Sequence, residues 1–273
     1  NAVDRVVEEL IQRTETEFPT LEIDRYKWSY ENGIYDARTD TFWEYDEFDN
    51  WGQLGTDIQE YRRNKGWGGD YTVKPPDGHK MTVKYFSQPF RFKITPDTEE
   101  IFDARNIKLP ELETVFTSQE LDEGTQIWCL RMLARLFFEL KELDNWEVVL
   151  FIRGVAGSGK STLANLIRHM YAPNMVTTLS SNIEEKFGLS SIYNGLLCIC
   201  AEVRKKFGLV QSEFQSAVSA EYMSIPVKNK TAESIKWKVP FFFLGNEVPE
   251  YPDASGSILR RFFIIEFNKA VKG

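Results

Sequence analysis

An apolar segment at residues 148–152 is followed by RGVAGSGKS, a spacing of glycine, lysine and serine that can hold a triphosphate. Gly154, Gly157 and Gly159 let the backbone fold closely around an anion, so that its N–H groups and the start of the next helix face the phosphates. Lys160 then reaches the β- and γ-phosphates, and the Ser161 hydroxyl ligates magnesium. The motif predicts a site for a nucleoside triphosphate and Mg²⁺ formed by Gly154, Val155, Ala156, Gly157, Ser158, Gly159, Lys160, Ser161 and Thr162.

A second apolar segment, LLCICAE at residues 196–202, ends in a single carboxylate. The corresponding strand of a nucleotide hydrolase usually ends in two acids, the first of which serves the metal. Here Ala201 occupies the first place and Glu202 the second. We expect Glu202 to polarise the attacking water, while magnesium rests on Ser161, the phosphates and water, with indirect help from Glu202. The alternative is that Glu202 is the metal ligand and that the base lies elsewhere.

Two further polar features adjoin apolar segments. Asn246 follows the apolar residues 239–244, where an amide can orient the attacking water or sense the γ-phosphate; a capping role is the alternative. Arg260 and Arg261 directly precede the apolar residues 262–267. An arginine donated to a neighbouring subunit's nucleotide would stabilise the charge that develops in the transition state, whereas a salt-bridged pair would look the same in sequence. The sequence thus predicts catalytic roles for Lys160, Glu202, Asn246, Arg260 and Arg261.

The elements that must position these residues change in character along the chain. Residues 20–95 are rich in aromatic residues and turn signals, which favours short strands and loops. From Thr117, the stretch TSQE has the form of a capping box and leads into an amphipathic helical pattern. Asp144 and Asn145 then interrupt the chain before the glycine-rich motif. We predict an N-terminal accessory region over 1–115, a helical linker or collar over 116–145 and an ATPase domain over 146–273.

Composition and charge limit the class of protein. Of 273 residues, 42% are hydrophobic and 14% aromatic, which is enough for a folded core. The net charge of −8 originates in residues 1–50, whereas residues 222–240 contain four lysines and one glutamate. That basic stretch suits either phosphate contacts or a solvated face. No apolar run approaches the roughly 20 residues of a membrane span, so we expect no membrane partner. The three cysteines lack zinc-binding spacing and favour an intracellular compartment.

Taken in order, these features resemble the superfamily-three helicases of DNA viruses. The matching parts are the phosphate loop, the acid-ended strand, a hairpin motif at residues 211–230, Asn246 and the arginine pair. The sequence is most similar to the poxvirus-type primase–helicases of nucleocytoplasmic large DNA viruses, including the upstream segment YKWSYENGIYDARTDTFWEY. The resemblance spans about residues 25–270 and is strongest in the C-terminal half.

The resemblance implies an α/β fold, with a P-loop, AAA+-like parallel sheet flanked by helices and a smaller N-terminal mixed α/β and helical region. It implies ATP as the nucleotide, with Mg²⁺, and a homohexameric ring that draws a single DNA strand through a central channel and acts on forked duplex DNA. It also implies a primase domain or subunit as partner, and a viral replication site in the host cytoplasm or nucleus.

The resemblance also implies roles for individual residues. Lys228 falls where these helicases place a channel-facing hairpin lysine that tracks DNA phosphates. Asn229 sits where papillomavirus-type relatives have histidine, and Lys230 can compensate for that change. Arg261 aligns better than Arg260 with the arginine finger, and Arg260 would read the nucleotide from an adjacent angle.

Other classes of P-loop protein share part of this pattern. A GTPase should contain NKxD, but NKTA at residues 229–232 has alanine in place of the aspartate, which argues against that class. A small-molecule kinase needs lid arginines, which RRF at residues 260–262 could imitate, so a kinase stays an alternative. A ring-forming ATPase that remodels protein or packages nucleic acid without unwinding would use the same ATP site and is the second alternative.

Overall fold

The chain divides into two compact units, residues 1–96 and residues 97–273. The division into an accessory region, a linker and an ATPase domain stays a prediction. The computed structural model describes residues 22–39, 41–44, 80–90, 110–179, 189–226, 232–251 and 256–271.

The described residues of the first unit contain short strands that form two small sheets. The strands are β1 (Glu22–Asp24), β2 (Lys27–Tyr30), β3 (Gly33–Asp36), β4 (Thr41–Glu44), β5 (Lys80–Thr82) and β6 (Tyr85–Phe86). Strands β4, β3, β2 and β6 form a four-stranded sheet in that order, and β1 pairs with β5 in parallel. The buried Trp28 and Trp43 anchor the four-stranded sheet. The predicted N-terminal region of short strands is confirmed for the described residues.

The second unit contains four α-helices and seven strands within its described residues. The helices are α1 (Pro110–Ser118), α2 (Glu123–Arg135), α3 (Lys160–His169) and α4 (Gln211–Val218). The strands are β7 (Val149–Gly154), β8 (Val176–Thr178), β9 (Leu197–Val203), β10 (Tyr222–Ile225), β11 (Glu233–Lys236), β12 (Phe241–Gly245) and β13 (Phe262–Phe267).

Five of these strands form one parallel sheet in the order β13-β7-β12-β9-β8. Helix α3 packs against β7 and β12, and the predicted α/β fold is confirmed. Because the strands are parallel, they all end on one side of the sheet, where polar loops can meet. We call this side the carboxyl end, marked by Gly154, Val203 and Gly245. The opposite side is the amino end, marked by Val149 and Phe262.

The first four residues of each of the three central strands are apolar because both faces of the sheet are covered there. Residues 149–152, 197–200 and 241–244 are all buried, the pattern expected of a parallel sheet. Phe214 of α4 stacks on Phe262 of β13 with ring centroids 5.2 Å apart. Each such side chain stabilises the fold by about 1.5–3 kcal/mol when fully buried. This packing holds the strand ends, and the polar residues that follow them, in a fixed register.

The helical region before β7 differs from the prediction in one respect. The TSQE stretch ends one helix instead of starting the next, because Thr117 and Ser118 belong to α1. Asp122 is the residue that caps α2, and its carboxylate accepts a hydrogen bond from the Thr125 amide at 3.0 Å. The predicted capping box was therefore wrong, and Gln119 between the two helices is available for another role.

In the described part of the chain, no helix has the length and apolarity needed to cross a membrane.

Candidate nucleotide-binding site

The phosphate loop connects β7 to α3 at the carboxyl end of the sheet. Gly154 ends β7 so close to the edge strand that a Cβ there would lie 2.0 Å from the Phe267 carbonyl oxygen. Gly157 and Gly159 have φ angles of 71° and 91°, which only glycine adopts without strain. The first glycine is therefore required by strand packing, and the other two by the curvature of the loop.

The start of α3 is suited to an anion. Its N-cap is Gly159, which offers no side chain to the first amide groups, and its first turn contains no acidic residue. The unpaired N–H groups and the helix dipole therefore give this end of the helix a partial positive charge. Ser158 is buried in the loop, whereas Ser161 and Thr162 are exposed at the helix start.

The Lys160 side chain lies along the loop. Its ammonium donates hydrogen bonds to the carbonyl oxygens of Gly154 at 2.8 Å and Val155 at 2.6 Å, and to the Ser158 hydroxyl at 3.4 Å. Burial of the ammonium lowers the pKa of Lys160 below its usual value. A phosphate group placed in the loop would compensate that loss of solvation better than neutral carbonyls do.

The Gln119 side chain holds the phosphate loop in place through hydrogen bonds, a role that the sequence did not predict. Its amide nitrogen donates to the Ser158 carbonyl at 3.0 Å and to the Lys269 carbonyl at 2.7 Å. Its amide oxygen accepts from the Lys269 amide at 2.9 Å, and the residue is only 6% exposed. The Val271 amide also donates to the Gly157 carbonyl at 2.8 Å. The loop is thus tied to the segment after β13.

Replacing Gln119 with leucine should weaken nucleotide binding without unfolding the chain. The change keeps a side chain of similar size but leaves the Lys269 amide and two carbonyl groups without their partner, at a cost of about 1–3 kcal/mol for each that stays buried. We expect the Kd for a fluorescent ATP analogue to rise about tenfold. Gln126→Leu is the control, since the Gln126 side chain donates to the Leu121 carbonyl and is not bonded to the phosphate loop as the structure describes it. An unchanged Kd for Gln119→Leu would show that this bridge does not shape the loop.

Glu202 occupies a bulge at the end of β9. Cys200 pairs with Phe243 and Val203 pairs with Gly245, so Ala201 and Glu202 lie opposite a single residue of β12. Glu202 has a φ of 57°, a left-handed conformation that costs a non-glycine residue roughly 1–2 kcal/mol. Bulges of this kind redirect side chains and are frequent beside active sites. Both Ala201 and Glu202 are exposed, so the carboxylate is accessible.

Strand order brings the predicted acid, amide and phosphate loop together. β12 lies between β7 and β9, with Gly245 opposite both Arg153 and Val203. Adjacent strands are about 4.8 Å apart, so the backbones of the loop strand and the Glu202 strand are separated by roughly 10 Å. Asn246, which is exposed, follows β12 between them. This spacing leaves room for a terminal phosphate and an attacking water between the loop and the carboxylate.

The oxygen donors at this end of the sheet suit magnesium. Mg²⁺ prefers oxygen ligands and usually combines one or two protein groups with phosphates and water. The exposed Ser161 hydroxyl and the Glu202 carboxylate are such groups. Within the described residues, no three His, Cys, Asp or Glu side chains form a cluster that would hold a metal by itself. The donor set therefore fits a metal that is carried mainly by the nucleotide.

The two arginines before β13 lie in different environments. Both belong to a 3-10 helix, Leu259–Arg261, which turns Arg261 inward and Arg260 toward solvent. Arg261 is 8% exposed and donates to the Ser257 carbonyl at 2.6 Å and the Ser219 hydroxyl at 3.2 Å. The side chain predicted to reach a neighbouring nucleotide is thus engaged within its own subunit. Because its side chain is exposed, Arg260 is the better candidate to reach a neighbouring nucleotide.

The predicted DNA-binding hairpin is described only at its base. Strands β10 and β11 pair antiparallel, with Tyr222 opposite Lys236 and Ile225 opposite Glu233. The predicted contacts Lys228, Asn229 and Lys230 lie outside the described residues. At the base of the hairpin, Tyr222 is 74% exposed beside Lys236.

Comparison with known proteins gives limited matches. A family model described as a family of unknown function, DUF5906, matches residues 152–261, which include the phosphate loop, Glu202, Asn246 and both arginines. No curated protein matches the chain.

Solved structures of the C-terminal region of NrS-1 are similar at low identity. An apo structure of its residues 305–718 has a TM-score of 0.48 at 18% identity, covering 89% of this chain and 59% of that one. An A-form apo structure has a TM-score of 0.46 at 18% identity, covering 91% and 62%. The chain therefore spans about three fifths of the length of these structures.

Proposed function

We propose that the chain is the ATP-driven motor of a DNA helicase that acts in viral genome replication. In this proposal it works as a homohexameric ring, uses ATP with Mg²⁺, and draws one DNA strand through a central channel. The observation that carries the proposal is the meeting of the phosphate loop, Asn246 and Glu202 at one end of a parallel sheet, while an exposed arginine lies at the other end.

The chemistry follows from the placement of each group. The amide groups of the phosphate loop and the start of α3 bind the phosphates, and Lys160 exchanges the loop carbonyls for β- and γ-phosphate oxygens. The Ser161 hydroxyl would hold magnesium together with the nucleotide, and the metal would supply positive charge to the phosphates. Glu202 accepts a hydrogen bond from the attacking water and polarises it, and Asn246 orients that water against the terminal phosphate.

The position of Arg260 favours a ring over a monomeric kinase. Phe262 pairs with Val149 at the amino end of the sheet, so Arg260 lies a full strand away from the loop that follows Gly154. Six residues of strand span about 20 Å, which is beyond the reach of an arginine side chain. Arg260 therefore cannot reach the phosphate loop of its own chain, and we propose that it serves another subunit's nucleotide. A kinase lid would need its arginines above its own phosphates.

The hairpin favours nucleic acid as the molecule that the proposed ring translocates. Its described base exposes Tyr222 opposite Lys236, a combination that stacks on bases and attracts phosphates. We propose that Lys228, Asn229 and Lys230 continue this surface into the channel and contact the DNA backbone. Such contacts are independent of base sequence and weaken with salt. A primase domain or subunit, which the sequence resemblance suggests, is proposed as the partner.

Forked-DNA unwinding by mixtures of wild-type chain and Arg260→Ala tests the proposal. We expect the wild type to unwind a fork with ATP, and Arg260→Ala to lose about 10³-fold or more of its ATPase activity because the finger charge is missing. In a ring, the variant should poison wild-type subunits, so that activity falls faster than the wild-type fraction. Arg168→Ala is the matched control, since Arg168 is a partly exposed arginine on α3.

The outcomes separate the alternatives. Poisoning together with unwinding supports a helicase ring. Poisoning without unwinding supports the second candidate, a ring-forming ATPase that remodels protein or packages nucleic acid. Activity that falls only in proportion to the wild-type fraction would refute the ring and leave a P-loop kinase as the better description.

A further inference from the structure

A polar cluster, buried at Arg261 and Ser219 and partly exposed at Glu147 and Lys141, lies at the amino end of the sheet. Besides its bonds to Ser257 and Ser219, the guanidinium lies 3.5 Å from a carboxylate oxygen of Glu147. The carboxylate is shared with Lys141 at 3.0 Å. The hydrogen bond from Lys141, followed by those from Ser219 and the charge of Arg261, holds the pKa of Glu147 below its usual value. None of these groups lies at the carboxyl end, where the proposed chemistry occurs.

The cluster joins three segments of the chain. Ser257 belongs to the turn that carries Arg260, whereas Ser219 ends α4 three residues before β10 begins. Glu147 precedes β7 by two residues. A second hydrogen bond joins the first two segments, since the Gln215 amide nitrogen donates to the Ser257 hydroxyl at 2.7 Å. The turn of Arg260 and the base of the hairpin are therefore physically connected.

The hydrogen bonds of the Arg261 guanidinium can be exchanged for others. Ser219 is buried, and its hydroxyl is the contact between the guanidinium and the hairpin side. The Arg261 Nε–H is buried without an acceptor among the described residues, so the guanidinium is incompletely bonded in this arrangement. A small movement of the 257–261 turn would carry the guanidinium with it and displace the Ser219 hydroxyl to which it is bonded, because packed elements move as units.

We infer that Arg261 is a positioning residue that couples the turn carrying Arg260 to the base of the β10–β11 hairpin. The inference rests on the proposed function, in which Arg260 contacts the nucleotide of the next subunit and the hairpin contacts DNA. Binding or loss of that nucleotide moves Arg260, the adjacent Arg261 moves with it, and its bond to Ser219 transmits the displacement to Tyr222. Arg260 and Arg261 thus have separate roles, the first in charge stabilisation and the second in transmission.

The coupling is measured as the stimulation of ATP hydrolysis by single-stranded DNA of mixed sequence, using the full chain. Ser219→Ala removes the hydroxyl and little else, and Arg261→Met removes the guanidinium while keeping a long side chain. Loss of one coupling contact changes coupling between sites by about two- to thirtyfold, so we expect the stimulation factor to fall by that amount in Ser219→Ala. Its ATPase activity without DNA and its DNA affinity, measured by fluorescence anisotropy, should stay unchanged.

Controls distinguish transmission from a general loss of structure. Ser212→Ala changes an exposed serine of the same helix and should behave as wild type. Arg261→Lys keeps the positive charge and should recover part of the stimulation lost in Arg261→Met. Melting temperature identifies any variant that fails to fold, and Ser219→Ala then carries the test.

Three results would overturn the inference. If wild-type hydrolysis is stimulated by DNA and both variants keep the full stimulation, the coupling is refuted while the proposed function stands. If Arg261→Met poisons mixtures as Arg260→Ala does while Ser219→Ala is normal, Arg261 itself reaches the neighbouring nucleotide. Wild-type hydrolysis that does not respond to DNA would refute the proposed function, and the coupling with it.

Discussion

Replacing Glu202 with glutamine is expected to leave Mg-ATP binding intact and to lower ATP hydrolysis by about 10²- to 10⁴-fold. Glutamine keeps the shape and the exposed position of the side chain but cannot accept a proton from the attacking water. The left-handed backbone at this bulge is equally strained for both residues, so stability should not change. The measurements are the Kd for a fluorescent ATP analogue with Mg²⁺ and the single-turnover hydrolysis rate.

Glu247→Gln is the matched control for Glu202→Gln. Glu247 is another exposed carboxylate at the carboxyl end of the sheet, directly after Asn246. If its replacement abolishes hydrolysis and that of Glu202 does not, the base follows β12. Loss of Mg-ATP affinity in Glu202→Gln would instead make Glu202 the metal ligand, the alternative that the missing second acid leaves open.

Replacing Gly154 with alanine is expected to destabilise the second unit by about 3 kcal/mol or more and to abolish nucleotide binding. The added Cβ would meet the carbonyl oxygen of Phe267 at 2.0 Å and its carbonyl carbon at 2.6 Å. Both atoms are backbone, so β7 and β13 must separate where they pair, and the phosphate loop moves with them. Urea unfolding followed by tryptophan fluorescence, together with ATP-analogue binding, measures the two effects.

Gly157→Ala is the control for this clash. Apart from Gly157 and its two chain neighbours, no atom of the described residues lies within 4 Å of the position of its Cβ. Its φ of 71° is unfavourable for alanine, which costs about 1 kcal/mol. The variant should therefore fold with only a modest loss of stability. Equal destabilisation by the two substitutions would contradict the view that Gly154 is required by strand packing and Gly157 by loop curvature.

The phosphate loop was predictable because its chemistry is contiguous in sequence. Glycines, a lysine and a hydroxyl act within eight residues, and the backbone itself supplies most of the donors. The α/β fold was predictable for a related reason, since apolar segments buried on both faces favour a parallel sheet. The order of Glu202, Asn246 and the two arginines along the chain is likewise visible in the sequence, but the distances between these residues are not.

The sequence did not reveal Gln119. Its partners lie 39 and 150 residues away, at Ser158 and Lys269. Locally, the same residues have the composition of a capping box, and the structure instead ends α1 there and caps α2 with Asp122. A buried amide with distant partners leaves no local pattern.

The choice between Arg260 and Arg261 likewise depended on tertiary structure. Neighbouring residues in a 3-10 turn point in different directions, and which one is buried depends on what packs against the turn. Here Ser219 and Glu147 provide partners for Arg261.

Residue type and short-range spacing indicate a phosphate loop and buried strands, so the candidate reactive groups and the class of fold could be predicted from the sequence. How those groups come together depends on tertiary contacts. Strand order placed β12 between the loop and Glu202, a bulge directed Glu202 outward, and packing buried Arg261 while leaving Arg260 exposed. Strand order, the bulge and the burial of Arg261 depend on contacts between residues far apart in the chain. No single segment therefore specifies them.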